Sequence, residues 1–145
     1  MDIGDRAPNF ELKNQRGEIV TLESFKGSKI LLAFYPFSFS SVCTSELSCF
    51  RDDLSQFKNK NVTVIGVSVD SHHTQRAYAE SLKIEYPLLS DFGRKASTAY
   101  GVLRAEGCSE RAYFVIDESG IITFRSVMDR SGKTLDTVEL LNAIN

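Results

Sequence analysis

Apolar residues in this chain come in short runs that alternate with helical spacings. Residues 30–35, Ile-Leu-Leu-Ala-Phe-Tyr, form an unbroken apolar run closed by Pro36, as expected of a strand buried on both faces of a sheet. This run is the candidate central strand. Beyond it, Val42, Leu47, Phe50, Leu54 and Phe57 recur mainly at three- and four-residue intervals, with Arg51, Asp52 and Asp53 between them. That spacing predicts an amphipathic helix with Cys43 in its first turn. Residues 62–69 are apolar and β-branched, Asp70 or Ser71 is placed to cap a helix reaching about Leu82, and 86–89 form another short extended run. A helix over 94–100 stops at Gly101, and strands over 113–116 and 121–126 are joined through Asp117-Glu118-Ser119-Gly120. The last helix is predicted over 135–144. At the other end, 10–12 and 19–21 flank Asn14-Gln15-Arg16-Gly17, which reads as a short hairpin.

The alternation of strand and helix specifies an α/β fold. With 145 residues, 42% hydrophobic and 25% charged, and with no repeat, low-complexity tract or linker, the expectation is one domain over 1–145. A formal net charge of -2 with scattered Lys and Arg gives no footprint for nucleic acid. The polar start, with Asp2, Asp5 and Arg6, has neither the basic and apolar regions of a signal peptide nor a membrane span, so a cytoplasmic protein is expected.

Three cysteines, Cys43, Cys49 and Cys108, are too few and too irregularly spaced for a disulfide scaffold. No Cys-x2-Cys pair exists and His72 and His73 are adjacent, so no metal site is expected. Both histidines are expected in solvent without a role, and Arg130, with Asp129, Ser131 and Gly132, reads as an exposed turn. Cys43 is the candidate for chemistry. A cysteine acts as its thiolate, and a helix N-terminus supplies unpaired N–H groups and a positive dipole end. Ser40 adds a nearby hydroxyl, Pro36 lacks a backbone donor, and Phe37 and Phe39 are placed to shield a pocket or to form a dimer contact. Each residue also has a plainer reading. Cys43 alone would be a small buried residue, Ser40 a helix cap, Arg111 a surface or ion-paired arginine, and Glu46 a helix-surface acid.

The joint spacing Pro36-Phe37-Ser38-Phe39-Ser40-Ser41-Val42-Cys43 resembles the Pro-x-x-x-Thr/Ser-x-x-Cys motif of the peroxiredoxins. The likeness continues through Thr44-Ser45-Glu46 and Arg51-Asp52, then Tyr86-Pro87-Leu88-Leu89-Ser90-Asp91, Ala99-Tyr100-Gly101-Val102 and Arg111-Ala112-Tyr113-Phe114-Val115-Ile116-Asp117. It is nearest to the one-cysteine and bacterioferritin-comigratory-protein branches, since the chain lacks the long C-terminal extension of typical two-cysteine members. The resemblance implies a thioredoxin-like fold with an N-terminal hairpin and insertions, and a thiol-dependent peroxidase that uses no cofactor. It further implies Cys43 as the peroxidatic cysteine and Arg111 as its charged partner. Ser40 would hold the distal peroxide oxygen, Pro36 would screen the thiolate, and Glu46 would orient the arginine. The expected partners are a hydroperoxide, a thioredoxin-like or low-molecular-weight thiol reductant, and a second copy of the chain.

In the related branch a resolving cysteine often lies five residues after the peroxidatic one, where this chain has Ser48; Cys49 is one residue further on. Cys49 is preferred to Cys108 for that role. Six residues along an intact helix, however, put the two Cα atoms roughly 10 Å apart, beyond the roughly 7 Å reach of a disulfide. The first turns would have to unwind, whereas an external thiol attacking Cys43 directly would need neither partner. A thiol-disulfide oxidoreductase would suit the fold but lacks its Cys-x-x-Cys pair. A redox-responsive binding or chaperone protein switched by Cys43 oxidation is the alternative of a different class.

Overall fold

The computed structural model describes residues 1–128 and 134–144. The turn expected around Arg130 falls outside them. The described residues contain the strands β1 (Glu11–Lys13), β2 (Ile19–Thr21), β3 (Lys29–Phe34), β4 (Val62–Ser68), β5 (Leu88–Ser90), β6 (Ala112–Ile116) and β7 (Ile122–Val127). The helices are α1 (Ser41–Asp52), α2 (Leu54–Asn59), α3 (His72–Leu82), α4 (Lys95–Ala99) and α5 (Thr137–Ala143).

All seven strands join one mixed sheet in the order β2-β1-β5-β4-β3-β6-β7. β3 is parallel to β4 and antiparallel to β6, and β4 is parallel to β5. β3 therefore lies in the interior of the sheet, beside the middle strand β4, as its unbroken apolar run predicts. Its residues divide by parity: Leu31, Ala33 and Tyr35 enter the core shared with Leu47 and Phe50 of α1, Phe57 of α2, Tyr78 of α3 and Leu140 of α5. Ile30, Leu32 and Phe34 enter the opposite core with Phe10, Leu22, Ala96 of α4 and Tyr100. A strand covered on both faces has no polar side to alternate with.

Several boundaries differ from expectation. The helix expected to run on through Phe57 breaks at Asp53, which ends α1 and leads into α2 at φ -100° and ψ 12°; the Asp53 N–H still donates to the Cys49 carbonyl, and the Asp53 carbonyl accepts from the Gln56 N–H in a tighter turn. β5 begins at Leu88 because Pro87 has no N–H to give a ladder, although its carbonyl still accepts from Gly66. α5 starts later than expected, at Thr137, because Asp136 caps it by accepting the Glu139 N–H at 2.8 Å. Between the two expected caps of α3 the structure selects Ser71, which accepts from the Thr74 N–H at 3.2 Å. A short 3-10 turn over Leu22–Phe25 has no counterpart in the sequence reading.

Gly66 of β4 faces the first core, where an added Cβ would lie 2.8 Å from Leu88 Cδ2 and 3.4 Å from Tyr35 Cε1. Leu88 and Tyr35 are themselves fully buried and have nowhere to retreat. Gly66→Ala should accordingly destabilise the fold by about 1–3 kcal/mol, read as a lower urea midpoint with an unchanged slope.

Candidate active site

The site forms where the central strand ends. Tyr35 extends the pairing of β3 by one bond, its N–H donating to the Val67 carbonyl at 3.0 Å, and Pro36 stops it. The chain then crosses the carboxyl ends of the parallel strands, the usual place for a site in a sheet of this kind. Buried polar groups secure the crossing. The Ser38 N–H donates to Asp70 Oδ2 at 2.7 Å and the Ser38 hydroxyl to Gln75 Oε1 at 2.6 Å. Gln75 also accepts from the Tyr35 hydroxyl at 3.1 Å and donates to Ser68 Oγ and the Leu89 carbonyl, both at 3.0 Å. Phe39 adopts φ +70°, a costly conformation for a bulky residue, and its ring packs 4.7 Å from that of Tyr78.

Cys43 lies at the third position of α1, with its sulfur in the core and no exposed surface. The first helical hydrogen bond is from the Thr44 N–H to the Ser40 carbonyl at 2.9 Å, so the Cys43 N–H precedes the ladder and has no intrahelical acceptor. Ser40 occupies the N-cap position but caps nothing; its hydroxyl donates backward to the Phe37 carbonyl at 3.0 Å. The hydroxyl that was expected to serve a peroxide is thus engaged in holding the crossing segment, and the cap that would have consumed the Cys43 N–H is not made.

Arg111 arrives from the other side of β3. The antiparallel register of β3 and β6 pairs Phe34 with Ala112, which sets Arg111 beside the end of the central strand. Its Nη2 lies 3.1 Å from Cys43 Sγ and its Nη1 lies 2.8 Å from Glu46 Oε1. Both ionic side chains are buried, Arg111 at 7% exposure and Glu46 at 5%, so the surface readings of these two residues do not hold. The other Glu46 oxygen, Oε2, accepts from the hydroxyl of Tyr113, a residue that reads in the sequence only as a strand aromatic. Burial pushes the Glu46 carboxyl above the usual carboxylate range, against the opposing pull of Arg111 and then Tyr113. For Arg111 burial works against the charge, but Glu46 and then Cys43 outweigh it and hold the guanidinium more firmly protonated than usual.

The remaining candidates are dispersed. Cys49 is exposed on α1 and lines a groove of about 330 Å³ with Ser45, Asp53 and residues 134–138. Cys108 is buried, its sulfur 3.9 Å from Arg104 Nη1. Phe37 and Phe39 are 49% and 54% exposed, open to solvent more than closed over the sulfur. His73 is exposed as expected, but His72 is half-buried, stacked on His73 at 3.9 Å and packed over Gly17.

A family model described as the AhpC/TSA family matches residues 3–125. The chain belongs to this family. It is 37% identical over 140 residues to alkyl hydroperoxide reductase E of Mycobacterium tuberculosis, covering 94% of this chain and 91% of that protein. It is 34% identical over 146 residues to a chloroplastic 2-cysteine peroxiredoxin of Chattonella marina, covering 92% and 75%. Among solved structures, reduced 2-Cys peroxiredoxin of Plasmodium vivax superposes with a TM-score of 0.91 at 31% identity over 99% of this chain and 94% of that one. Peroxidoxin BcpB of Mycobacterium tuberculosis gives 0.90 at 28% over 99% and 96%. The thioredoxin-like α/β fold of the peroxiredoxins and the family resemblance are both borne out.

Glu46 gives the site a pH signature. Its folded-state proton affinity is raised, so the folded state binds more protons than the unfolded state just above the ordinary carboxylate range, and the stability tied to this group falls as pH rises through the folded-state value. The stability of the native chain relative to Glu46→Gln should therefore decline across that window, measured by urea unfolding at a series of pH values.

Proposed function

We propose that the chain works as a thiol-dependent hydroperoxide reductase with Cys43 as the sulfur that is oxidised. The observation carrying this reading is the Cys43 sulfur at a helix N-terminus, 3.1 Å from a buried guanidinium N–H. A sulfur so placed is stabilised as an anion by a charge-assisted hydrogen bond and by the helix dipole. It attacks one peroxide oxygen; an S–O bond forms, the O–O bond breaks, and the departing oxygen takes up a proton to leave as water or alcohol. Arg111 and the Cys43 N–H are the donors available for the charge that shifts onto oxygen. Pro36 ends the strand so that the following turn can cross the site, and Ser40 braces that turn from the N-cap position.

The sulfenic acid is reduced by a thiol, which attacks sulfur and releases water. In our reading Cys49 supplies that thiol after the first turns of α1 unwind, since it is the exposed cysteine, and a thioredoxin-like protein or a small thiol then restores both. Direct attack by an external thiol is the second reading: Cys43 faces the core and Cys49 faces outward from the same intact helix, so pairing them takes unwinding of the turns that link the two positions, whereas an external thiol needs only Cys43 to be uncovered. A cytoplasmic setting belongs to the same proposal, because the cycle consumes thiols that a reducing compartment supplies. So does a homodimer, for which the exposed rings of Phe37 and Phe39 are the candidate contacts.

Cys43→Ser should abolish peroxide turnover with the fold retained, measured by stopped-flow peroxide consumption and a melting curve; full activity in that variant would sink the assignment. Arg111→Lys should slow the peroxide step by about 10²-fold, since an ammonium lacks the planar set of donors. Peptide mass spectrometry after one equivalent of peroxide decides the second step. A Cys43–Cys49 disulfide is expected, a Cys43–Cys108 link transfers the role, and a persistent Cys43 sulfenic acid with both other thiols free supports the external thiol.

A further inference from the structure

We infer that Tyr113 is a positioning residue for the peroxide step: its hydroxyl holds the second oxygen of Glu46 and thereby fixes the plane in which Arg111 faces Cys43. This rests on the peroxidase reading and deepens it. Tyr113 follows Arg111 by two residues across the start of β6, and side chains two apart along extended backbone leave it on the same side. Both therefore reach Glu46 together. Arg111 takes Oε1 at 2.8 Å and Tyr113 takes Oε2. A carboxylate held at one oxygen rotates broadly about its last torsion, and one held at both does not. The guanidinium inherits that restraint, because its other hydrogen-bonded nitrogen is the one aimed at the sulfur.

The hydroxyl is itself oriented. It accepts the Leu135 N–H at 3.3 Å, which occupies a lone pair and leaves the O–H to point at Glu46. Burial and then the Glu46 charge push the Tyr113 phenol far above its ordinary range, so it remains a donor wherever the enzyme works. Other ionisable groups face Glu46 without hydrogen-bonding its carboxylate: Tyr78 on α3 and Tyr86 ahead of β5, and Asp53 and Asp136 in the groove beside α1. Tyr86 donates instead to the Leu47 carbonyl at 2.8 Å, and Asp136 is committed to capping α5.

The test is Tyr113→Phe, which keeps the ring and removes the hydroxyl, with the second-order rate of Cys43 oxidation followed across pH by stopped flow. With one donor fewer, Glu46 turns more freely and also takes its proton at higher pH, so the rate should fall about tenfold at the acid end of the profile and by less, though still below the native rate, toward the alkaline end. In a Glu46→Gln background the same change should alter the rate by less than about twofold, because the two residues act through one link. An unchanged rate at every pH, or the same loss in the Glu46→Gln background, would each show that the Tyr113 hydroxyl does not position Arg111 through Glu46. Melting curves establish that the variants are folded. A native chain whose Cys43 is not oxidised by peroxide would instead defeat the peroxidase reading itself.

Discussion

One buried cation organises this molecule. The Arg111 guanidinium is shared between the Cys43 sulfur and the Glu46 carboxylate, and without partners it could not stay in a core. Its partners lie 68 and 65 residues earlier in the chain, both on α1. What unites them is the sheet: β3 delivers α1 at its end, and β6, paired antiparallel to β3, brings Arg111 to the same end. The register is fixed by the two apolar faces, since a slip of one residue would exchange every side chain on β6 between cores. Thus the packing that buries Tyr113 and Val115 on one face and Phe114 and Ile116 on the other also decides whether the guanidinium meets the sulfur.

A second polar structure holds the crossing segment at 36–40. Tyr35, Ser38, Ser68, Asp70 and Gln75 satisfy one another beneath it, and a fully bonded buried network specifies one arrangement where apolar packing would tolerate several. The network secures a backbone that is locally unfavourable, with Phe39 at positive φ. It also sets where α1 begins, and so which N–H groups are left unpaired around the sulfur. Ser40 illustrates the division of labour: by bonding to Phe37 it supports the turn, and the Cys43 N–H stays free of a cap.

The fold was legible wherever one physical requirement dominated. The run at 30–35 could be read as a central strand because both its faces are buried, and the cap of α3 could be narrowed to Asp70 or Ser71 because a short oxygen-bearing side chain there has one local use. Boundaries without one dominant signal were not legible: the break at Asp53 falls inside a continuous helical spacing, and the start of α5 depends on Asp136 becoming the cap. The site divides in the same way. Cys43, Ser40 and Pro36 are close in sequence and visible as a motif, whereas Arg111 and Glu46 carry no local mark of burial and were assigned through resemblance alone. Tyr113 and Gln75 were missed, since a tyrosine in a strand and a glutamine in a helix look the same whether or not a buried polar group needs them. The signal that could have found Tyr113 was its two-residue offset from Arg111.

The site meets a conflict built into its own chemistry. Reaction with peroxide favours a sulfur held fast against Arg111 and the end of α1, while reduction by a thiol needs that sulfur to come within bonding distance of another. As a thiol-dependent peroxidase, the chain must do both. The charge on the sulfur reconciles them. The thiolate is the form that the guanidinium and the helix N-terminus stabilise, and the sulfenic acid that replaces it carries no such charge at its formation. The contacts that keep Cys43 buried are consequently weakest in the one state from which a thiol must extract it. Phe39, held at positive φ just ahead of the helix, places a locally unfavourable backbone beside the turn that carries the sulfur.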